Sequence, residues 1–217
     1  MTAQSVGILG GTGPAGRGVA VRLAVAGHRV VIGSRDAVRA REVAESLSAG
    51  PGAIEGADNA GAALCEVVVV ATPWDSAVAT VRALGASLAG KVVISMVNAL
   101  AREGKEVIPL YPPRGAMAAQ IAAVLPESRV VGAFHHLPAA LMEDLASGLE
   151  ADVAVVGDDA EARAVVVILI HAMPGFRAVE VGSMSLAGAV EAFTAVCVSI
   201  NIRHRAHSSV AFRGLRA

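Results

Sequence analysis

Residues 6–18 read Val-Gly-Ile-Leu-Gly-Gly-Thr-Gly-Pro-Ala-Gly-Arg-Gly, and they narrow the possible folds more than any other stretch of the chain. A short apolar run leads into G-x-G-x-x-G at Gly11, Gly13 and Gly16. Glycines at that spacing let a strand turn sharply into a helix. Gly11 permits the tight turn, Gly13 the close approach of a diphosphate, and Gly16 the packing of helix on strand. Pro14 suits the first helical turn, where no intrahelical N–H bond is lost. Backbone N–H groups and the positive end of the helix would then face the diphosphate. A glycine-rich turn without a ligand is the plainer alternative. A second strand follows at the right distance, so the segment is read as a dinucleotide site.

That second strand, residues 29–32, runs into Gly33-Ser34-Arg35, with Arg39 one helical turn on. A chain that binds NAD places a carboxylate here for the ribose 2′-hydroxyl. A carboxylate would repel a 2′-phosphate, whereas a guanidinium can hold it through two parallel bonds. Ser34, Arg35 and Arg39 therefore indicate NADP(H), with Thr12 as a further hydroxyl donor. The other reading leaves both arginines as solvated surface charges. Asp36 is expected to cap the next helix.

The remaining chain alternates in the same βα manner. Strands are expected at 6–9, 29–32, weakly at 53–55, then at 66–71, 92–95, 129–134, 152–156 and 177–181. Helices are expected at 14–26, 36–47, 58–64, 75–88, 116–125, 138–147, 159–170 and 185–202. The Val run at 66–71 has the continuous apolar character of a strand covered on both faces. Residues 96–115, with Pro109, Pro112 and Pro113, read as irregular; loops of that length usually serve a site. The expectation is an α/β fold: a Rossmann-type doubly wound parallel sheet with a small C-terminal α/β extension ending in a long apolar helix. Residues 1–134 would form the NADP-binding domain and 135–217 a smaller region beside it.

Hydrophobic residues make up 54% of the 217 residues and aromatics only 3%, so Ala, Val, Leu and Ile must fill the core. A formal charge of −1 with no basic run gives nucleic acid no footing. Cys65 and Cys197 lie far apart without metal-ligand spacing and read as buried free thiols, which suits a reducing cytoplasm. Met1-Thr2-Ala3-Gln4 lacks a charged leader segment, so no secretory signal is expected. Residues 186–202 are apolar, but Glu191 and Asn201 interrupt them, and the run falls short of the ~20 residues of a membrane span. A buried helix at a homodimer contact is expected instead.

Further segments extend the pattern over nearly the whole chain: Pro73-Trp74 after the Val run, Phe134-His135-His136-Leu137-Pro138-Ala139-Ala140, Gly157-Asp158-Asp159, and Val190-Glu191-Ala192-Phe193-Thr194. With residues 10–18 and 33–35 they resemble the NADPH-dependent F420 reductases, and Pro73-Trp74 and the His135 segment are the discriminating parts. The resemblance implies hydride transfer between NADP(H) and the deazaflavin coenzyme F420, with no metal. It implies NADP contacts at Thr12, Gly13, Pro14, Ala15, Ser34, Arg35, Arg39, Trp74, Val78, Leu100 and Ala139. The deazaflavin would lie near His135 and Leu137. Arg39 stands where archaeal members have Lys, which keeps the charge. His136 replaces a Thr, and Met96-Val97-Asn98-Ala99-Leu100 replaces a proline-containing loop.

Such a reaction needs no protein nucleophile. It needs two rings held at ~3–3.5 Å and stabilisation of the charge that gathers on the deazaflavin. His135 is expected to position or polarise the ring rather than act as an obligatory acid; ordinary strand-end packing is the alternative for His135-His136. Trp74 is either a packing residue or a wall of the nicotinamide pocket, and Asn98 is a candidate for the carboxamide. Residues 201–213 hold the one local basic cluster, suited to the anionic tail of F420 or simply to the end of the last helix. His204 and His207 have no carboxylate or cysteine beside them and do not make a zinc site. Another acceptor (a flavin, an imine or a metal chelate) and a non-catalytic NADP-sensing role stay open, because fold and cofactor do not fix the acceptor.

Overall fold

Val67, Val68, Val69 and Val70 show how the sheet is built: the odd pair belongs to the core on one face and the even pair to the core on the other. Side chains alternate across a strand, so an unbroken apolar run forces cover on both sides. The computed structural model describes residues 3–47, 50–104 and 106–215. Met1 and Thr2, on which the leader reading partly rests, and Lys105, within the segment read as irregular, lie outside the described residues.

The first half runs β1 (Ser5–Leu9), α1 (Pro14–Val25), β2 (Arg29–Ser34), α2 (Ala37–Glu45), β3 (Ala53–Asp58), α3 (Asn59–Ala62) and β4 (Val67–Val70). It continues through α4 (Trp74–Ala83), α5 (Gly85–Leu88), β5 (Val92–Ser95), β6 (Leu100–Glu103) and β7 (Glu106–Pro109). The second half adds α6 (Met117–Val124), β8 (Arg129–Gly132), α7 (Ala139–Met142), β9 (Ala151–Val156), α8 (Ala160–Ala172), β10 (Phe176–Gly182) and α9 (Ala187–His204). Eight strands form one sheet in the order β10-β9-β8-β5-β4-β1-β2-β3. Crossing from β1 outward in both directions, with helices on both faces, makes this the expected Rossmann-type α/β fold. Val19, Leu23, Val166 and Leu169 fill one layer; Ala77, Val81, Leu88 and Ile121 fill the other. Phe134 is the one aromatic among the largest fully buried side chains, in keeping with an aliphatic core.

Local chemistry sets the ends. Pro14 opens α1 behind Gly13, and no side chain caps that end. Gly27, at φ +91°, closes the turn after α1 by donating its N–H to the Ala24 carbonyl. Asp36 caps α2 as expected, accepting from Val38 N–H and Arg39 N–H.

Five expectations need correction. The stretch read as irregular holds the antiparallel hairpin β6–β7, turned at Gly104 with φ +60°. Its strands are four residues each, too short to announce themselves among three prolines. The helix expected at 75–88 breaks at Leu84 into α4 and α5. The one expected at 138–147 is a single turn, α7, and a 3-10 turn at Leu145–Ser147. The sheet is not wholly parallel: β9 meets β8 antiparallel at Gly132↔Val156, while β9 and β10 pair parallel, so the C-terminal strands continue the sheet rather than pack on it. Finally, the last apolar stretch does not fall short of a membrane span: Met184–His204 has the length and apolarity of one. Phe193, Val196, Ile200 and Ile202 on α9 are exposed in the single chain.

Candidate functional site

The glycines after β1 divide into those that must be small for packing and one that faces open space. A Cβ on Gly11 would stand 2.9 Å from the Ile8 carbonyl oxygen, and one on Gly16 would stand 2.7 Å from Gly11 Cα. At Gly13 a Cβ would meet nothing within 4 Å. The turn is pinned from outside as well. Gly11 N–H donates to the Gly33 carbonyl at 2.9 Å, and Gly10 N–H donates to Asn59 Oδ1 at 3.1 Å. With no acidic residue in its first turn and no side-chain cap, α1 leaves its leading N–H groups for an anion.

A cleft of about 550 Å³ opens over this turn at the C-terminal edge of the sheet. Thr12, Gly13, Pro14, Ala15 and Gly16 form its floor; Ser34, Arg35 and Arg39 line one end; Trp74 and Asn98 line another part of the wall. Among the described residues neither Arg35 nor Arg39 has an ion-pair partner, whereas Arg29 at the start of the same strand is bound to Glu55 at 2.6 Å. Two exposed guanidiniums beside a hydroxyl and a bare helix end are a donor set for phosphate. The cleft therefore fits a phosphorylated dinucleotide on its own geometry.

Beyond Asn98 the chain makes a closed corner. Phe134, buried at the end of β8, adopts φ +68°, a left-handed conformation that costs a residue with a Cβ. The kink is held by Asn98, whose Nδ2 donates to the His135 carbonyl at 3.1 Å while its Oδ1 lies 3.1 Å from His135 Nδ1. Thr194 on α9 donates to the same Asn98 oxygen at 3.1 Å. Because Oδ1 can only accept, His135 carries its proton on Nδ1, and Nε2 is left buried without a partner among the described residues. Burial, with His136 nearby, holds the His135 pKa down to about 3. His136 contacts the Val190 carbonyl through Nε2 at 2.6 Å and meets Phe193 edge-on. Glu191 turns inward and caps α6, accepting from Met117 N–H at 2.7 Å and Ala118 N–H at 2.9 Å. Its burial outweighs those two bonds and pushes its pKa up to about 7.

The structure thus brings together ten of the expected residues and sets others apart. Gly11 lies beneath the turn, and Val78, Leu100, Leu137 and Ala139 stand half-buried off the cleft wall. His135 is buried behind the cleft, its Nδ1 on Asn98, and burial keeps its imidazole neutral. Arg203 of the basic cluster lines a different, apolar groove with Glu106 and Phe193. Asn59, Thr72, Ser76 and Thr80 also line the cleft and were not among the expected site residues: the short helix at 58–64 was expected, but nothing in the sequence aims Asn59, or one face of α4, at the glycine turn.

Comparison with known proteins gives the family. Residues 5–99 match the family model for NADP oxidoreductase, coenzyme F420-dependent. The chain is 35% identical over 211 residues to the F420-dependent NADP reductase of Methanocaldococcus jannaschii, covering 93% of this chain and 94% of that protein. It is 31% identical to the Methanothermobacter thermautotrophicus reductase of the same name, over 95% of this chain and 93% of that one. A crystal structure of a candidate F420-dependent NADP-reductase from Arthrobacter sp. FB24 superposes with a TM-score of 0.82 at 27% identity, covering 97% of this chain and all of the other. An imine reductase from Bacillus cereus, at 17% identity and TM-score 0.63 over 90% of this chain and 60% of that one, shares the fold alone.

Proposed function

The chain belongs to the family of coenzyme F420-dependent NADP oxidoreductases, and on that premise we propose which residues carry its reaction. The enzyme transfers hydride between NADP(H) and F420; the nicotinamide C4 and deazaflavin C5 supply that chemistry when both are bound. Relatives that match end to end act on F420 by name, which favours this acceptor over an imine or a metal chelate. What the chain itself does is bind, orient and exclude water.

The observation that carries the assignment is one continuous cleft with an open glycine turn, Arg35 and Arg39 unpaired among the described residues, and Trp74 and Asn98 on its wall. Gly13 and the first turn of α1 hold the diphosphate, and Ser34, Arg35 and Arg39 hold the 2′-phosphate. Trp74 walls the nicotinamide pocket. Asn98 fixes the corner, and one hydrogen of its amide is left for the carboxamide. His135 positions Asn98 and does not touch the ring through a charged imidazole. Val78, Leu100, Leu137 and Ala139 are kept as contacts on the family pattern alone. The division of labour follows the chain: 1–134 for NADP, 135–217 for the F420 side and for subunit contact.

The exposed face of α9 and the hairpin strand β7 form an apolar groove of about 850 Å³, which a second copy of the chain would cover. A homodimer is expected in a size measurement at dilute concentration; a stable monomer contradicts it. Two buried free cysteines support a cytoplasmic setting. Direct transfer is tested with NADPH carrying deuterium at C4. Deuterium recovered in reduced F420 is the expected result, and reduced F420 labelled only from solvent refutes the reading.

A further inference from the structure

Asn59 follows β3 at the very edge where β2 delivers Ser34, since the parallel register pairs Ser34 with Asp58. Its side chain crosses over Gly33: a Cβ there would lie 2.8 Å from Asn59 Oδ1. It ends on Gly10, whose N–H it accepts at 3.1 Å. The same side chain lines the cleft together with Ser34 and Arg35. An amide has two unlike ends. With Oδ1 committed to Gly10, the NH2 group is the part of Asn59 left to meet a ligand, and it can only donate.

We propose that Asn59 is a specificity-determining residue of the cofactor site, its oxygen fixing the phosphate turn and its NH2 donating to the 2′-phosphate beside Ser34 and Arg35. The proposal rests on the NADP reading above. A neutral side chain is the chemistry the position requires. Aspartate would hold Gly10 equally well, but it would set a second acceptor and a negative charge against the phosphate.

The test is a calorimetric titration with two half-cofactors, 2′,5′-ADP and 5′-ADP, on the whole protein. Wild type should favour 2′,5′-ADP strongly. Asn59→Asp should weaken 2′,5′-ADP by about 20-fold or more and 5′-ADP by less than about threefold, as expected for a bond to a charged group. Its thermal midpoint should stay near wild type, because the Gly10 bond is kept. Ala60→Asp places the same charge one residue away on the exposed surface and should change neither affinity by more than about threefold. Should Asn59→Asp fail to fold, Asn59→Ser, which removes the NH2 without adding charge, should still narrow the preference by about fivefold. Equal loss of both nucleotides, or an effect that Ala60→Asp reproduces, overturns the assignment of Asn59 alone. Wild type with no preference for 2′,5′-ADP overturns it together with the NADP reading.

Discussion

At the end of β2 the cleft presents Arg35 and Arg39 to solvent with no ionic partner among the described residues, whereas beyond β8 Asn98, His135 and Thr194 satisfy one another in a buried corner. The first region offers charges left unpaired among the described residues; the second is mostly paired within itself, with His135 Nε2 and one Asn98 amide hydrogen left over. The proposed site then divides in two: affinity and selectivity for the phosphorylated half of the cofactor are assigned to groups that gain partners on binding, and orientation at the hydride-transferring end to groups already fixed by folding. A mutation should reveal which region it touches by whether it changes binding or changes the fold.

The largest effect is expected at the open end. Replacing both Arg35 and Arg39 by alanine removes charge-assisted contacts of about 3 kcal/mol together, so KM for NADPH should rise roughly 100-fold. KM for NADH should change little and thermal stability should hold. A rise below about tenfold, measured by steady-state kinetics, breaks the comparison.

At the closed end the order reverses. Asn98→Ala strands the His135 Nδ1–H in a buried site and leaves the His135 carbonyl only the Thr194 hydroxyl at 3.3 Å, at a cost of about 2–3 kcal/mol. The thermal midpoint should fall by roughly 5–10 °C. An unchanged midpoint would mean that the corner is not a structural unit.

Glu191 sharpens the contrast through pH. Its folded pKa is raised to about 7, above the ordinary carboxylate value, so the native state binds the proton more tightly than the unfolded chain does. That contribution is fully present below the unfolded pKa and is lost as pH rises through about 7. Melting curves across that window should show stability declining with rising pH, and Glu191→Gln should flatten the decline. A slope of opposite sign would refute it. The smallest effect concerns His135, neutral down to about pH 3. His135→Gln should leave the shape of the kcat/KM profile unchanged between about pH 5.5 and about pH 8.5. A wild-type inflection near 6.5 that the variant lacks would show that the imidazole titrates.

The open end was legible in the sequence because its chemistry is local. Gly11, Gly13 and Gly16 sit at the spacing of a strand–turn–helix phosphate loop directly after an apolar run, and the β2 end carries Ser34, Arg35 and Arg39 within six residues. The closed end was not legible. Asn98, His135 and Thr194 are 37 and 59 residues apart in turn; the pairing of β5 with β8 brings the first two together, and the packing of α9 adds the third. Asn98 reads as a carboxamide ligand, and nothing in its neighbours shows that its oxygen is taken by His135 and Thr194, which leaves only its amide hydrogen for that role. Likewise His135 reads as a titratable group until its burial is known. The antiparallel join of β9 to β8 was hidden for another reason: a Val-rich strand has the same composition in either direction.

The most direct test of the account follows loss of the oxidised deazaflavin absorption when purified protein is mixed with F420 and either NADPH or NADH. The account predicts rapid loss with NADPH, little with NADH, and loss of the NADPH advantage in the Arg35 and Arg39 double variant. No bleaching with NADPH, in a protein that still binds it tightly, would contradict it.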